Sequence, residues 1–203
     1  MGTIDVVLFD LGNVLVDLGG SERFSSIFQV NAKDESVMWE KWLHSPAVKA
    51  FDRGLISLEQ FAEGLLEEMQ SDRSSKEFIQ AFIDWPVGLF DGAKELLHQI
   101  PPVYHKAVLS NTNDAHWGRI LDEMGLAGQF HSYFASNQEG HVKPDDKIFH
   151  RVIDDLGVAP ERILFLDDNW LNIESARKLG MHGEQVKGVE CARKILYNYN
   201  IIA

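Results

Sequence analysis

The sequence predicts an α/β fold, a doubly wound parallel, Rossmann-like sheet with an inserted helical segment. Short hydrophobic runs end in acidic or hydroxyl residues, as in Val6-Val7-Leu8-Phe9-Asp10, Ala107-Val108-Leu109-Ser110 and Leu164-Phe165-Leu166-Asp167-Asp168. Beyond residue 86 such runs alternate with stretches of helical period, the pattern of strands joined by crossover helices. Between 17 and 86 long β-branched runs are missing and helical spacing takes over.

Ile4 and Val6 to Phe9 form the first strand, apolar on both faces as a buried parallel strand should be. Asp10-Leu11-Gly12-Asn13 breaks it with turn formers, and Val14, Leu15 and Val16 make a short arm. Phe61, Leu65, Leu66 and Met69 share one helical face, and Phe78, Ile79, Phe82 and Ile83 another. Asp52-Arg53-Gly54 is a tight turn, and Ser57 with Gln60 caps the helix that follows. With Trp39, Trp42 and Trp85 this region is rich in aromatics, and it is read as a domain of about four helices over 17–86. The core domain is then 1–16 together with 87–203.

Ala93, Leu96, Leu97 and Ile100 mark a helix that Pro101-Pro102 stops. The strand ending at Leu109 comes next, then a helix through Trp117, Ile120, Leu121 and Met124, closed by Gly125. Tyr133-Phe134-Ala135 is a short strand, and Ile148, Val152, Ile153 and Leu156 mark a helix that stops at Gly157. Ile163 to Leu166 is the clearest late strand, followed by a helix through Ile173, Ala176 and Leu179 that ends at Gly180. The tail Asn198-Tyr199-Asn200-Ile201-Ile202 is apolar enough to dock on this chain or on a partner.

The 203 residues fit one large domain or one domain with a smaller insertion, and 45% hydrophobic residues supply a sizeable core. A net charge of -12 argues against a general nucleic-acid binder, which needs a basic face. It leaves room for a small anionic substrate, since one lysine and one metal ion in a pocket outweigh diffuse surface charge. Cys191 is the only cysteine, which rules out an intrachain disulfide and argues against a cysteine zinc site. No apolar run reaches the length of a membrane span, and the start lacks a basic region. The expected setting is the cytoplasm, with the chain a monomer or homodimer.

Chemistry concentrates at the strand ends. Asp10 after the first strand serves as nucleophile, metal ligand or helix cap, and Gly12-Asn13 favours an exposed, tightly turned backbone around it. Asp167-Asp168 places two like charges after a buried strand, which calls for a cation or for donors, with a doubled helix cap as the plainer reading. Asn172 lies one helical turn beyond Asp168 and can sit above it. Ser110-Asn111-Thr112-Asn113 offers hydroxyls and free N–H groups at a helix start, a natural anion site or a plain capping turn. Asp114 would repel a phosphate, so it is expected to face away. Lys143 at a helix entrance opposes the helix dipole; read alone it is an ordinary surface lysine or a bridge between a carboxylate and a phosphoryl oxygen, and in the second case Pro144 enters the first turn. Taken together, the hydroxyl and lysine supply donors, the acids hold a hard ion such as magnesium, and Asp10 is the nucleophile of a phosphoryl-transfer site.

Over essentially its full length the chain resembles the haloacid dehalogenase superfamily. The matching pieces are FDLGNVL at 9–15, LSNTN at 109–113, VKPD at 142–145 and FLDDNWLNIESARKLG at 165–180. It looks most like the sugar-phosphate phosphatases and the phosphatase domain of epoxide hydrolases. The resemblance implies a helical cap of the first class inserted after the first strand, and a magnesium-dependent phosphatase acting on a small phosphorylated metabolite. It makes Asp10 the nucleophile, and Asp10, Asp168 and the Gly12 carbonyl the Mg2+ contacts. Ser110 and Asn111 then bind phosphate, Lys143 neutralises nucleophile and phosphate, and Asp167 and Asn172 support the acidic loop.

One position departs from that pattern. The family's phosphatases carry an acid/base aspartate two residues after the nucleophile, and here that residue is Gly12. A sugar 1-phosphate or acyl-phosphate, with a better leaving group, would suffer least. Asp17, His116 and His141 are candidate replacements, each with a simpler structural or surface role open to it. Trp42, Phe51 and Arg53 are the cap residues considered for the cleft, although cap core and a solvated turn explain them as well. Gly12 also motivates two rivals: a metal-independent 2-haloacid dehalogenase, and a catalytically weak protein that binds a phosphorylated ligand or a partner.

Overall fold

The computed structural model describes residues 3–29 and 35–203. Strand β1 (Val6–Phe9) leads through a tight loop into the arm β2 (Val16–Asp17). Five helices follow among the described residues: α1 (Gly20–Phe28), α2 (Glu35–His44), α3 (Pro46–Phe51), α4 (Leu58–Glu68) and α5 (Ser75–Ile83). The chain returns through β3 (Gly88–Leu89), which pairs antiparallel with β2. Next come α6 (Ala93–Gln99), β4 (His105–Ser110), α7 (Asp114–Gly118), β5 (Ser132–Ala135) and the short α8 (Ser136–Glu139). The remainder is α9 (Asp146–Leu156), β6 (Ile163–Asp167), α10 (Trp170–Lys178), β7 (His182–Gln185) and α11 (Val189–Asn198).

The main sheet is parallel throughout, in the order β5-β4-β1-β6-β7. From β1 the chain builds outward on one side and then on the other, so a crevice opens where the ends of β1, β4 and β6 meet. Successive β1 residues face opposite ways. Val6 and Leu8 pack with Leu109, Phe149 and Phe165, whereas Val7 and Phe9 pack with Val108, Leu164 and Leu196. Burial of both faces explains why these strands are unbroken hydrophobic runs. Helices α1–α5 bury a separate cluster that includes Phe24, Phe51, Phe61, Phe78 and Phe82.

The structure differs from the sequence reading in several elements. Ser45 caps α3 through the Val48 N–H, with Pro46 at its first position, so α3 separates from α2 and adds to the four helices expected. The helix through Trp117 ends at Gly118 and continues as a wider π-type turn over Arg119–Glu123. Pro144 lies ahead of α9 rather than in its first turn, because Asp145 caps that helix by accepting from the Lys147 N–H. Strand β7 is polar and lies at the sheet edge, and the tail docks on its own sheet with Ile201 and Ile202 buried. Among the described residues no helix is long and apolar enough to cross a membrane.

Candidate active site

The loop after β1 winds tightly enough for the Leu11 carbonyl to accept from the N–H groups of Leu15 and Val16 at 2.9 and 2.8 Å. Asn13 takes a left-handed conformation (φ 55°), which asparagine tolerates better than most residues. Its amide donates to Asp168 Oδ2 at 2.9 Å, and its carbonyl accepts from Gly188 N at 2.7 Å. The Asp10 N–H donates to Leu166 O at 2.8 Å, extending the β1–β6 ladder. The first loop is thus fastened to the end of β6.

Lys143, only 4% exposed, closes the arrangement. Its ammonium donates to Asp10 Oδ1 at 2.7 Å, to Asp167 Oδ2 at 2.7 Å and to the Leu109 carbonyl at 2.9 Å, which uses all three protons. Asn111 positions it through the backbone: its amide donates to Lys143 O at 2.9 Å and its Oδ1 accepts from Lys143 N at 2.8 Å. Asp167 is fully buried and saturated, accepting also from Asn172 Nδ2 at 3.0 Å on each oxygen and from Asn169 N at 2.8 Å. Asn172 therefore supports Asp167 and not Asp168, above which the sequence placed it.

Carboxylate oxygens of Asp10, Asp167 and Asp168 lie within 4.8 Å of one another. Burial pushes the Asp10 carboxyl up to about 7; Lys143 pulls it down, and Asp167 and Asp168 push it further up. Asp168 is also raised, chiefly by burial, against the hydrogen bond from Asn13. Burial works against the Lys143 charge, but Asp10 and Asp167 together hold its pKa above the usual lysine value. Since Lys143 takes one Asp10 oxygen and Asn13 one Asp168 oxygen, the second oxygen of each is left for an ion. An all-oxygen donor set whose mutual repulsion Lys143 relieves only in part fits a hard divalent cation.

These groups open into a cavity of about 750 Å³, with Gly12, Ser110, Asn111 and Asn172 in the same wall. The Ser110 hydroxyl donates to Asn111 O only at 3.5 Å, a weak contact from which its proton can turn to a better acceptor. The facing wall is helical and mostly apolar, with Trp39, Trp42, Val48, Phe82 and Trp85. Trp42 and Arg53 line the cavity, whereas Phe51 is buried and stacks on Phe61 with ring centroids 4.5 Å apart.

Of the candidate replacements for the missing aspartate, His116 alone lines the cavity, and its ring is already bonded. Asp17 accepts from Gly19 N at 2.7 Å. His116 binds the Phe82 carbonyl at 2.6 Å, and burial lowers its pKa to about 4. His141 is not among the residues lining the cavity. Asp114 accepts from the Asn137 amide at 2.6 Å and stands outside it. In the sequence Asp52 shows only as part of a turn. It lines the cavity beside Asn113, and no local pattern in the sequence signals that meeting across 61 positions.

The family model for haloacid dehalogenase-like hydrolases matches residues 4–180. D-ribitol-5-phosphate phosphatase of Bacteroides thetaiotaomicron is 25% identical over 184 residues, 86% of this chain and 87% of that protein. Phosphoglycolate phosphatase of Aquifex aeolicus is 25% identical over 185 residues, 86% of this chain and 81% of its own length. A HAD family enzyme of Bacteroides thetaiotaomicron, crystallised with magnesium and inorganic phosphate, superposes with a TM-score of 0.72 at 28% identity. That match covers 91% of this chain and 94% of that one.

Proposed function

The chain belongs to the haloacid dehalogenase-like hydrolases, and on that basis we propose that it is a magnesium-dependent phosphatase of a small sugar or polyol phosphate. The observation that carries this reading is the Lys143 ammonium, 2.7 Å from both Asp10 and Asp167 at the floor of a large cavity. A nucleophile, a fixed cation and a weakly held hydroxyl there surround a space suited to a phosphoryl group. The phosphatase relatives, and the similar enzyme solved with magnesium and phosphate, support the same reading.

A carboxylate oxygen of Asp10 attacks phosphorus, the bond to the ester oxygen breaks, and an aspartyl-phosphate forms. Water then attacks the phosphorus, releasing phosphate and restoring Asp10. Lys143, anchored by Asp167 and the Leu109 carbonyl, keeps a positive charge beside the phosphoryl oxygens throughout. The Ser110 hydroxyl and the Asn111 N–H donate to the same oxygens. Asp10, Asp168 and the Gly12 carbonyl would hold magnesium, which offsets phosphoryl charge when bound. Residues 17–86 act as a cap over a core of 1–16 and 87–203, excluding water and shaping the substrate site.

A metal-independent dehalogenase would also use Asp10 as nucleophile, but it would leave Asp168, clustered with Asp10 and facing the cavity, without a task. The deciding experiment is Asp10→Asn, assayed for phosphate release across a panel of sugar and polyol phosphates with magnesium. The expected outcome is a folded protein without turnover. Release near the parental rate would overturn the nucleophile assignment, and magnesium-independent halide release from 2-haloacids would favour the rival.

A further inference from the structure

The departing alkoxide of a sugar phosphate needs a proton, and Gly12 cannot give one. We infer that Asp52 gives it from the helical wall, as general acid when the ester breaks and general base when water attacks the aspartyl-phosphate. The inference rests on the phosphatase reading above.

In-line attack by Asp10 from the strand ends sends the leaving oxygen toward the opposite side of phosphorus. That side is the wall built by α2, α3 and α5, and among the described residues its lining contains one carboxyl group, Asp52. Two contacts hold it over the site. Arg53 beside it pairs with Asp145 at 3.9 Å. Gly54 (φ 70°) lies against the Asn137 backbone so closely that a Cβ there would collide with the carbonyl oxygen. Asn113 Nδ2 donates to Asp52 Oδ1 at 3.3 Å. The Asn113 side chain is 4% exposed, lines the same cavity, and its Oδ1 is buried with no partner. A substrate hydroxyl bound beside Asp52 would supply the donor this atom lacks.

The surroundings suit a group that carries a proton near neutrality. Burial pushes the Asp52 carboxyl up to about 7, against the pull of the Asn113 hydrogen bond. Lys49 and Arg53 flank it on its own segment, Asp114 and His116 belong to α7, and Asp145 faces Arg53; Asp10, Lys143 and Asp168 lie at the cavity floor. The protons balance over the cycle. In the first step an Asp10 oxygen bonds to phosphorus, the ester P–O bond breaks, and the Asp52 proton passes to the leaving oxygen to give an alcohol. In the second, water bonds to phosphorus, its proton passes to Asp52, and the bond from phosphorus to Asp10 breaks.

The test is Asp52→Asn with magnesium, assayed on the fastest alkyl ester of a sugar and polyol phosphate panel and on p-nitrophenyl phosphate. The expected loss in kcat on the alkyl ester is about 10²- to 10⁴-fold. Nitrophenolate leaves without a proton, so the variant should release it in a burst of one equivalent per protein and then slowly, as the aspartyl-phosphate accumulates. A role confined to binding hydroxyls would raise KM for the polyol ester and produce no burst; that result, or parental kcat on the alkyl ester, overturns the role of Asp52. The parent protein provides a second readout independent of the variant's folding. Its rate on the alkyl ester should fall above the Asp52 pKa while that on p-nitrophenyl phosphate does not, and coincident profiles overturn the inference. If the parent releases no phosphate from any ester, the phosphatase reading itself fails.

Discussion

The Lys143 ammonium sits 2.7 Å from Asp167, a carboxylate with no exposed surface. The pair does more than pin a side chain. Asp167 has its oxygens occupied by Lys143, Asn172 and Asn169, so it is fixed in place and, with Asp10, holds the lysine pKa above its usual value. The geometry separates the two adjacent aspartates: Asp167 faces the lysine, while Asp168 turns to the Asn13 loop and the cavity.

Lys143→Met should therefore be costly to the fold as well as to activity. Removing the cation leaves Asp10 and Asp167 buried without their partner, and breaking such a pair costs about 3–5 kcal/mol. Urea unfolding of the variant without magnesium should show that loss. Parental stability would mean that the two carboxyls take up protons at little cost and the ammonium is not needed to balance them.

Magnesium and protons should compete for the site. The folded-state pKa values of Asp10, at about 7, and of Asp168 lie above their unfolded values, so the folded form binds more protons than the unfolded chain in that window. The stability linked to Asp10 is full below its unfolded pKa and is lost as pH rises toward 7, so the metal-free protein should melt lower at pH 7 than at pH 5.5 through this group. Ligation needs the ionised forms, so magnesium should raise Tm more at pH 7.5 than at pH 5.5. Thermal scans with chelator and with magnesium at both values check this, with Asp168→Asn expected to lose the response. Equal magnesium shifts at both pH values would count against ligation by these carboxyls.

Gly54→Ala should loosen the contact between the helices and the sheet loops. The residue holds a left-handed conformation and faces the Asn137 carbonyl, so a methyl group meets both backbone strain and a collision. A loss of more than about 1 kcal/mol is expected, with kcat on the alkyl ester falling as Asp52 is displaced. Hydrogen exchange across residues 52–54 and 137 would report the opening, and a variant with parental exchange and turnover would argue that this turn is not a structural latch.

Much of the sheet was legible because β1, β4 and β6 are buried on both faces and so appear as uninterrupted apolar runs. Strand β7, His182-Gly183-Glu184-Gln185, leaves no such signal, because an edge strand buried only in part has no apolar run. Helix α11 follows it. The break between α2 and α3 does carry a local signal, Ser45-Pro46, a cap residue followed by a proline at the first helical position.

The sequence alone determined which chemical groups lie at the ends of the hydrophobic runs, because strand burial and turn formation are local and leave a pattern along the chain. It placed Asp10, Ser110, Lys143 and the Asp167-Asp168 pair after separate runs. Only the tertiary structure decided how those groups divide their contacts, with Asn172 on Asp167 and Asn13 on Asp168. It alone brought Asp52 to Asn113, since that meeting depends on how helices pack over a sheet, and packing between distant segments leaves no periodic mark on either.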